Sequence, residues 1–109
     1  MSVAEVSVEE AAAWLQAGEA VMIDVREQDE YAAAHIEGVI QAPLSQMPAA
    51  WQALDLPADR KIIVQCLIGG RSHLVCAYVG PSGPDGQPIF NLAGGIKAWH
   101  AAGLPVVEG

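Results

Sequence analysis

The chain has 109 residues, 52% of them hydrophobic, with 13 acidic side chains against five basic ones and a net charge of −8. That length and apolar content suit a single domain over residues 1–109 with a proper core and no low-complexity segment. Five Lys and Arg are too few for the clustered phosphate contacts that nucleic acid demands, and they disfavour an anionic membrane surface for the same reason.

The opening Met-Ser-Val-Ala-Glu-Val lacks the basic start and apolar segment of a signal peptide. No apolar run approaches the ~20 residues of a membrane span. Two cysteines in a chain without a signal fit a reducing, cytoplasmic setting better than a disulfide framework.

Ser7-x-x-Glu10 is a capping box that predicts a helix through Ala17, with Gly18 as its stop. Residues 21–25 form an apolar run broken by Asp24, which predicts a strand buried on both faces, as in a parallel sheet. A buried aspartate needs a partner. Arg26 is near in sequence but points to the other side from its strand neighbour, so spacing alone does not assign the partner. Residues 27–34 read as a short acidic helix, His35-Ile36-Glu37-Gly38 as a turn, and Val39-Ile40 as a brief strand. Pro43 and Ser45 punctuate the next segment. Residues 48–54 read as a helix whose Trp51 and Leu54 face the core. A loop over 56–60 leads to Lys61-Ile62-Ile63-Val64-Gln65, a β-branched run that predicts a buried strand.

Then comes Cys66-Leu67-Ile68-Gly69-Gly70-Arg71-Ser72, followed by an apolar-faced helix over 73–79. A cysteine at a strand end is carried by a Gly-Gly turn straight into a helix. Backbone N–H groups in such a turn, with the helix start behind them, make an anion cradle. Its base is a thiol and its rim is Arg71. Helix N-termini and nearby arginines lower a cysteine pKa from ~8.5 to roughly 3.5–7.5. The alternative is a buried, inert cysteine ending a core strand. Cys76 reads as a packed helix residue; a resolving thiol would need the two Cα atoms within ~7 Å.

Residues 80–88, with Pro81, Pro84, Pro88 and three glycines, predict a surface loop that hosts neither helix nor central strand. Residues 89–92 read as the last strand. Gly94-Gly95 turns it into a helix over 96–102, and Gly103-Leu104-Pro105 ends the fold. No G-x-G-x-x-G or Walker pattern exists, and no His and Cys stand at ligand spacing, so neither a nucleotide loop nor a metal site is expected.

Strands alternating with helices imply a parallel α/β sheet covered on both faces, with sites at the carboxyl ends of strands. Three segments together resemble the rhodanese (sulfurtransferase) family: Asp24-Val25-Arg26-Glu27 with Glu30-Tyr31 and His35-Ile36-x-Gly38; Cys66-x-x-Gly69-x-Arg71-Ser72; and Asn91-Leu92-x-Gly94-Gly95-Ile96-x-Ala98-Trp99 before Gly103-Leu104-Pro105. They stand in the family's order over nearly the whole chain. The resemblance implies a rhodanese-like three-layer fold on a mostly parallel sheet of about five strands. It implies that Asp24 and Arg26 sit near the active loop and brace it; an ordinary strand-end ion pair is the alternative. It gives His35 a place in a structural turn and not as a base for Cys66.

The activity so implied is transfer of a sulfane sulfur from thiosulfate, a polysulfide or a persulfide to cyanide or a thiol, through a persulfide on Cys66 and with no cofactor. Leu67, Ile68, Gly69, Gly70, Arg71 and Ser72 would form the anion-binding loop. Leu67 and Ile68 are apolar where some relatives carry basic residues, which weakens the case for thiosulfate. Residues 80–88 also depart from the family, which extends the preceding helix there. Phosphatases that resemble rhodaneses place one more residue between Cys and Arg, for a wider cradle; the four found here favour sulfur over phosphate. The rival to an enzyme is a binding module, or a carrier passing persulfide between proteins, whose acidic surface would select a basic sulfur-relay partner.

Overall fold

The computed structural model describes residues 3–108. The elements in chain order are β1 (Glu5–Val6), α1 (Val8–Gln16), β2 (Ala20–Asp24), α2 (Gln28–Ala33), β3 (Ala34–His35), β4 (Ile40–Gln41), a 3-10 turn (Leu44–Gln46), α3 (Ala49–Gln52), β5 (Lys61–Gln65), α4 (Gly70–Val79), β6 (Ile89–Leu92), α5 (Gly95–Ala101) and β7 (Val107–Glu108). Five strands form one parallel sheet in the order β1-β6-β5-β2-β4. β3 and β7 form a separate antiparallel pair. The result is the α/β architecture expected from the alternating elements.

β5 lies between β2 and β6, so both its faces are covered, and Ile62, Ile63 and Val64 are fully buried. Successive side chains point to opposite faces. Ile63 joins Met22 and Leu92 beneath Val8 and Ala11 of α1 and Ile96 and Trp99 of α5. Ile62 and Val64 join Ile23 and Ile89 beneath Val75 and Cys76 of α4, with Trp51 of α3 and Leu54 packed at the edge. Cys66, two residues past Val64, therefore falls on the α4 side.

Ser7 caps α1 by accepting the Glu10 N–H at 3.1 Å, and Gly18 closes that helix at φ +73°. α4 starts at Gly70, three residues before the predicted helix, and Gly80 ends it. The two-residue strands β1, β3 and β7 escape the sequence reading, which placed Ala34 in a helix and His35 in a turn. β7 overturns the expectation that Gly103-Leu104-Pro105 ends the fold: Trp99 Nε1 donates to Pro105 O at 2.9 Å, and the chain runs on to pair with Ala34–His35. Residues 80–88 do form a loop, but it is pinned. Buried Gln87 accepts the Asp85 N–H at 2.9 Å and donates to Pro57 O at 3.1 Å.

Asp24 and Arg26 pair with each other where β2 ends. Arg26 Nη2 lies 2.8 Å from Asp24 Oδ2, the Arg26 N–H donates to Asp24 Oδ1 at 2.9 Å, and Nη2 also donates to Ala34 O at 2.8 Å. Asp24 is fully buried and Arg26 nearly so. Removing one member of a buried pair leaves the other as an uncompensated charge. Asp24→Ala is expected to lose about 3–5 kcal/mol of stability, read from urea unfolding; a loss below about 1 kcal/mol would show that water solvates Arg26 in the variant.

Candidate active site

The carboxyl ends of β2, β5 and β6 meet at one edge of the sheet. Gln65 closes β5 and Cys66 follows, its side chain at the floor of the turn and only 1% exposed. Gly69, at φ +108°, reverses the chain into α4 in a left-handed conformation that side chains resist. Gly70 is simply the first helical residue, and a Cβ there would meet nothing within 4 Å. Leu67 and Ile68 form the outer wall, 44% and 63% exposed.

The sulfur sits among donors. The Gly69 N–H reaches Cys66 Sγ at 3.1 Å and Ser72 Oγ lies 3.3 Å away. Burial alone would push the Cys66 thiol up. The Ser72 hydroxyl outweighs it together with the N–H groups of Ser72, Gly69 and Ile68, and the thiol is held below its ordinary value of 9.0. Such a thiolate, ringed by N–H groups at a helix start, suits nucleophilic displacement on an electrophilic sulfur.

Three residues that sequence reasoning left without a role complete the site. Asn91 of β6 donates through Nδ2 to Gly69 O at 3.1 Å and to Glu5 Oε2 at 3.3 Å, which turns its Oδ1 onto the Ser72 hydroxyl. Gln65 donates to Cys66 O at 2.8 Å. Glu30 of α2 holds Arg71 in a two-pronged ion pair, Nη1 to Oε1 at 2.7 Å and Nη2 to Oε2 at 2.9 Å. Arg71, expected as a lone cation on the rim, is thus already engaged. Behind the loop, Ile96 N donates to Cys66 O at 2.9 Å and Lys97 N to Leu67 O at 3.0 Å. Only glycine fits at Gly95: a Cβ there would lie 2.5 Å from both carbonyl oxygens.

Asp24 and Arg26 bond each other and Ala34, and among the described residues none of their hydrogen bonds reaches the 66–72 loop. Their influence there is electrostatic, Asp24 favouring the charged form of Arg71. His35 stacks on Tyr31 at 4.0 Å with Nδ1 3.0 Å from Tyr31 O. Cys76 is a buried free thiol pushed up to about 12, chiefly by burial.

Comparison with known proteins shows the family and the fold. A profile of the rhodanese-like domain matches residues 7–102. The chain belongs to the rhodanese-like family. It is 34% identical over 87 residues to a sulfurtransferase of Allochromatium vinosum, covering 80% of this chain and 78% of that one. An HTH-type transcriptional regulator of Mycobacterium tuberculosis is 35% identical over 94 residues, 86% of this chain but only 40% of the regulator. The crystal structure of a rhodanese-related protein from Thermoplasma volcanium superposes with a TM-score of 0.80 at 27% identity, covering 95% of this chain and 97% of that one. The five-stranded parallel sheet is thus the rhodanese fold.

In this rhodanese-like loop Ser72 has one proton and three acceptors near it: Cys66 Sγ, Gly69 O and Asn91 Oδ1. In the thiol form the proton can serve Asn91; on ionisation it turns to the sulfur. Ser72→Ala removes the strongest donor to the anion, so the pH profile of Cys66 alkylation by iodoacetamide should move to higher pH. Asn91 Oδ1 then loses its donor, at a cost of about 1–3 kcal/mol. An unmoved profile would assign the thiolate to the backbone N–H groups alone.

Glu30 is held at about 2, down from 4.5, first by its hydrogen bonds to Arg71 and then by the Glu27 N–H. A lowered carboxyl contributes stability above its unfolded value and loses it as pH falls through its folded value. The stability difference between the native chain and Glu30→Gln should therefore be steady above about pH 5, at about 1 kcal/mol or less for so exposed a pair, and shrink between 4.5 and 2. Urea midpoints across that range test it; a difference independent of pH would exclude the carboxylate as its source.

Proposed function

We propose that this rhodanese-like chain is a sulfurtransferase that carries sulfane sulfur as a persulfide on Cys66. The observation that carries the reading is the buried Cys66 Sγ receiving the Gly69 N–H and the Ser72 hydroxyl at the mouth of α4. In the first displacement the thiolate attacks the outer sulfur of the donor. With thiosulfate, the new Cys66 S–S bond forms as the donor's S–S bond breaks, and sulfite leaves with the electron pair. Charge is conserved, the persulfide keeping one negative charge and sulfite two. In the second, a thiolate or cyanide takes the terminal sulfur and Cys66 thiolate returns. The N–H groups of the 67–72 loop support both anionic forms, so neither step calls for a cofactor. Asp24 and Arg26 act as supports by fixing the end of β2.

A second reading, a persulfide carrier between proteins or a regulatory binding module, draws on the exposed apolar side chains Leu67, Ile68, Leu74 and Tyr78 beside the site. Its counterpart would be a basic protein surface, since the chain itself carries a charge of −8. Two free thiols suit a reducing compartment such as the cytoplasm for either role.

Intact-mass spectrometry after incubation with thiosulfate or polysulfide tests the reading. The expected product is one added sulfur atom, absent in Cys66→Ser and removed by cyanide. No added sulfur from either donor would leave the binding module as the better account.

A further inference from the structure

The rim of the cradle presents an apolar wall and a neutralised cation. Both guanidinium Nη atoms of Arg71 are taken by the two oxygens of Glu30, and Leu67 and Ile68 face solvent. Arg26 is consumed by Asp24 at 2.8 Å, and Lys61 of β5 lies 3.9 Å from Glu19. The space beside Gly70 is open. One turn further along α4, about 6 Å from Gly70, Leu74 begins an apolar groove of about 350 Å³ that Leu44, Met47, Pro48 and Tyr78 complete. The sulfur is thus served by backbone and hydroxyl dipoles that suit one negative charge. Among the described residues Arg71 is the one side-chain cation within the loop and it is engaged; the exposed Lys97 of α5 reaches the back of the loop through its backbone N–H, at Leu67 O.

We propose that the preferred donor is an organic persulfide with an apolar body and not a compact dianion, and that Glu30 sets this preference by holding Arg71. This deepens the sulfurtransferase reading and rests on it. The transfer balances without any oxidant: Cys66 thiolate attacks the terminal sulfur of R–S–SH, the donor's S–S bond breaks, and the thiolate R–S⁻ departs with the electron pair. It takes up the proton that the new Cys66 persulfide releases. The leaving group is an ordinary thiolate, whose apolar body lies against Leu67 and Ile68. Thiosulfate would instead bring two negative charges to a rim where Glu30 contributes a third, and its binding would have to compete with that carboxylate for Arg71. Glu30 touches no reacting atom; it is a positioning residue acting through Arg71.

The test compares the rate at which Cys66 gains sulfur from thiosulfate and from benzyl persulfide, each followed by intact mass. In the native chain benzyl persulfide should load at least about tenfold faster. Glu30→Gln should release Arg71 and raise the ratio of thiosulfate loading to benzyl persulfide loading about tenfold. Ile68→Lys, which leaves the ion pair intact and adds a cation to the exposed wall, should shift the ratio the same way and guards against a Glu30→Gln chain that folds poorly. Equal loading by the two donors in the native chain, or a ratio unmoved in both variants, overturns the inference while leaving sulfur transfer standing. Failure of both donors, with Cys66 still alkylated by iodoacetamide, overturns sulfur transfer itself and this inference with it.

Discussion

The constraint on which the site depends is the approach of the α5 start to the back of the 66–70 loop. Ile96 and Lys97 donate to the carbonyls of Cys66 and Leu67, and Gly95 leaves no room for a Cβ between them. In a planar trans peptide the C=O and the following N–H point in opposite directions. Fixing the Leu67 carbonyl toward α5 therefore aims the Ile68 N–H the other way, to the side where the sulfur lies. Gln65 adds a second donor to the Cys66 carbonyl and stiffens the same arrangement. The cradle is thus set from behind, by a helix that makes no direct bond to the thiol. A glycine that looks like a turn residue is a geometric condition for the anion site.

Charge explains why the site is built from dipoles. The chain is strongly acidic, and within the loop Arg71 is the sole cation, bound to Glu30. A thiolate stabilised by a free arginine would also attract any passing dianion. One stabilised by N–H groups and a hydroxyl is held locally, within hydrogen-bond range. Asn91 sharpens the arrangement by competing for the Ser72 proton, so the hydroxyl favours the anion only when the anion forms.

Much of the fold was legible in the sequence because parallel strands buried on both faces are continuous apolar runs. Residues 61–65 and 89–92 were read to the residue, and Ala20–Asp24 to within one. β1 and β7 were not legible, since two residues carry no periodicity and their pairing depends on distant chain. The start of α4 was misplaced because Gly70 and Arg71 look like turn and rim, whereas tertiary packing draws both into the first helical turn. In the site, spacing marked Cys66, Gly69, Arg71 and Ser72. It could not mark Glu30, 41 residues before Arg71, or give Asn91 a task, because those contacts cross from one element to another. For the same reason the pairing of Asp24 with Arg26 stayed open. β2 ends at Asp24, so the strand pattern does not fix where the Arg26 side chain goes, and the structure places its guanidinium on the Asp24 carboxylate.

The two cysteines make the same point from one residue type. Cys66 and Cys76 are both buried and ten residues apart, yet one thiol is lowered and the other is pushed up to about 12. Burial raises both. Cys66 meets unpaired N–H groups at the start of α4, whereas Cys76 lies in the last turns of the same helix, where the N–H groups are spent on the backbone ladder. The helix dipole there also disfavours an anion. Any charge on Cys66 raises Cys76 further, which disfavours a pair of thiolates. The position of a cysteine relative to α4 thus decides which way its thiol is shifted, and burial disfavours the thiolate of Cys76.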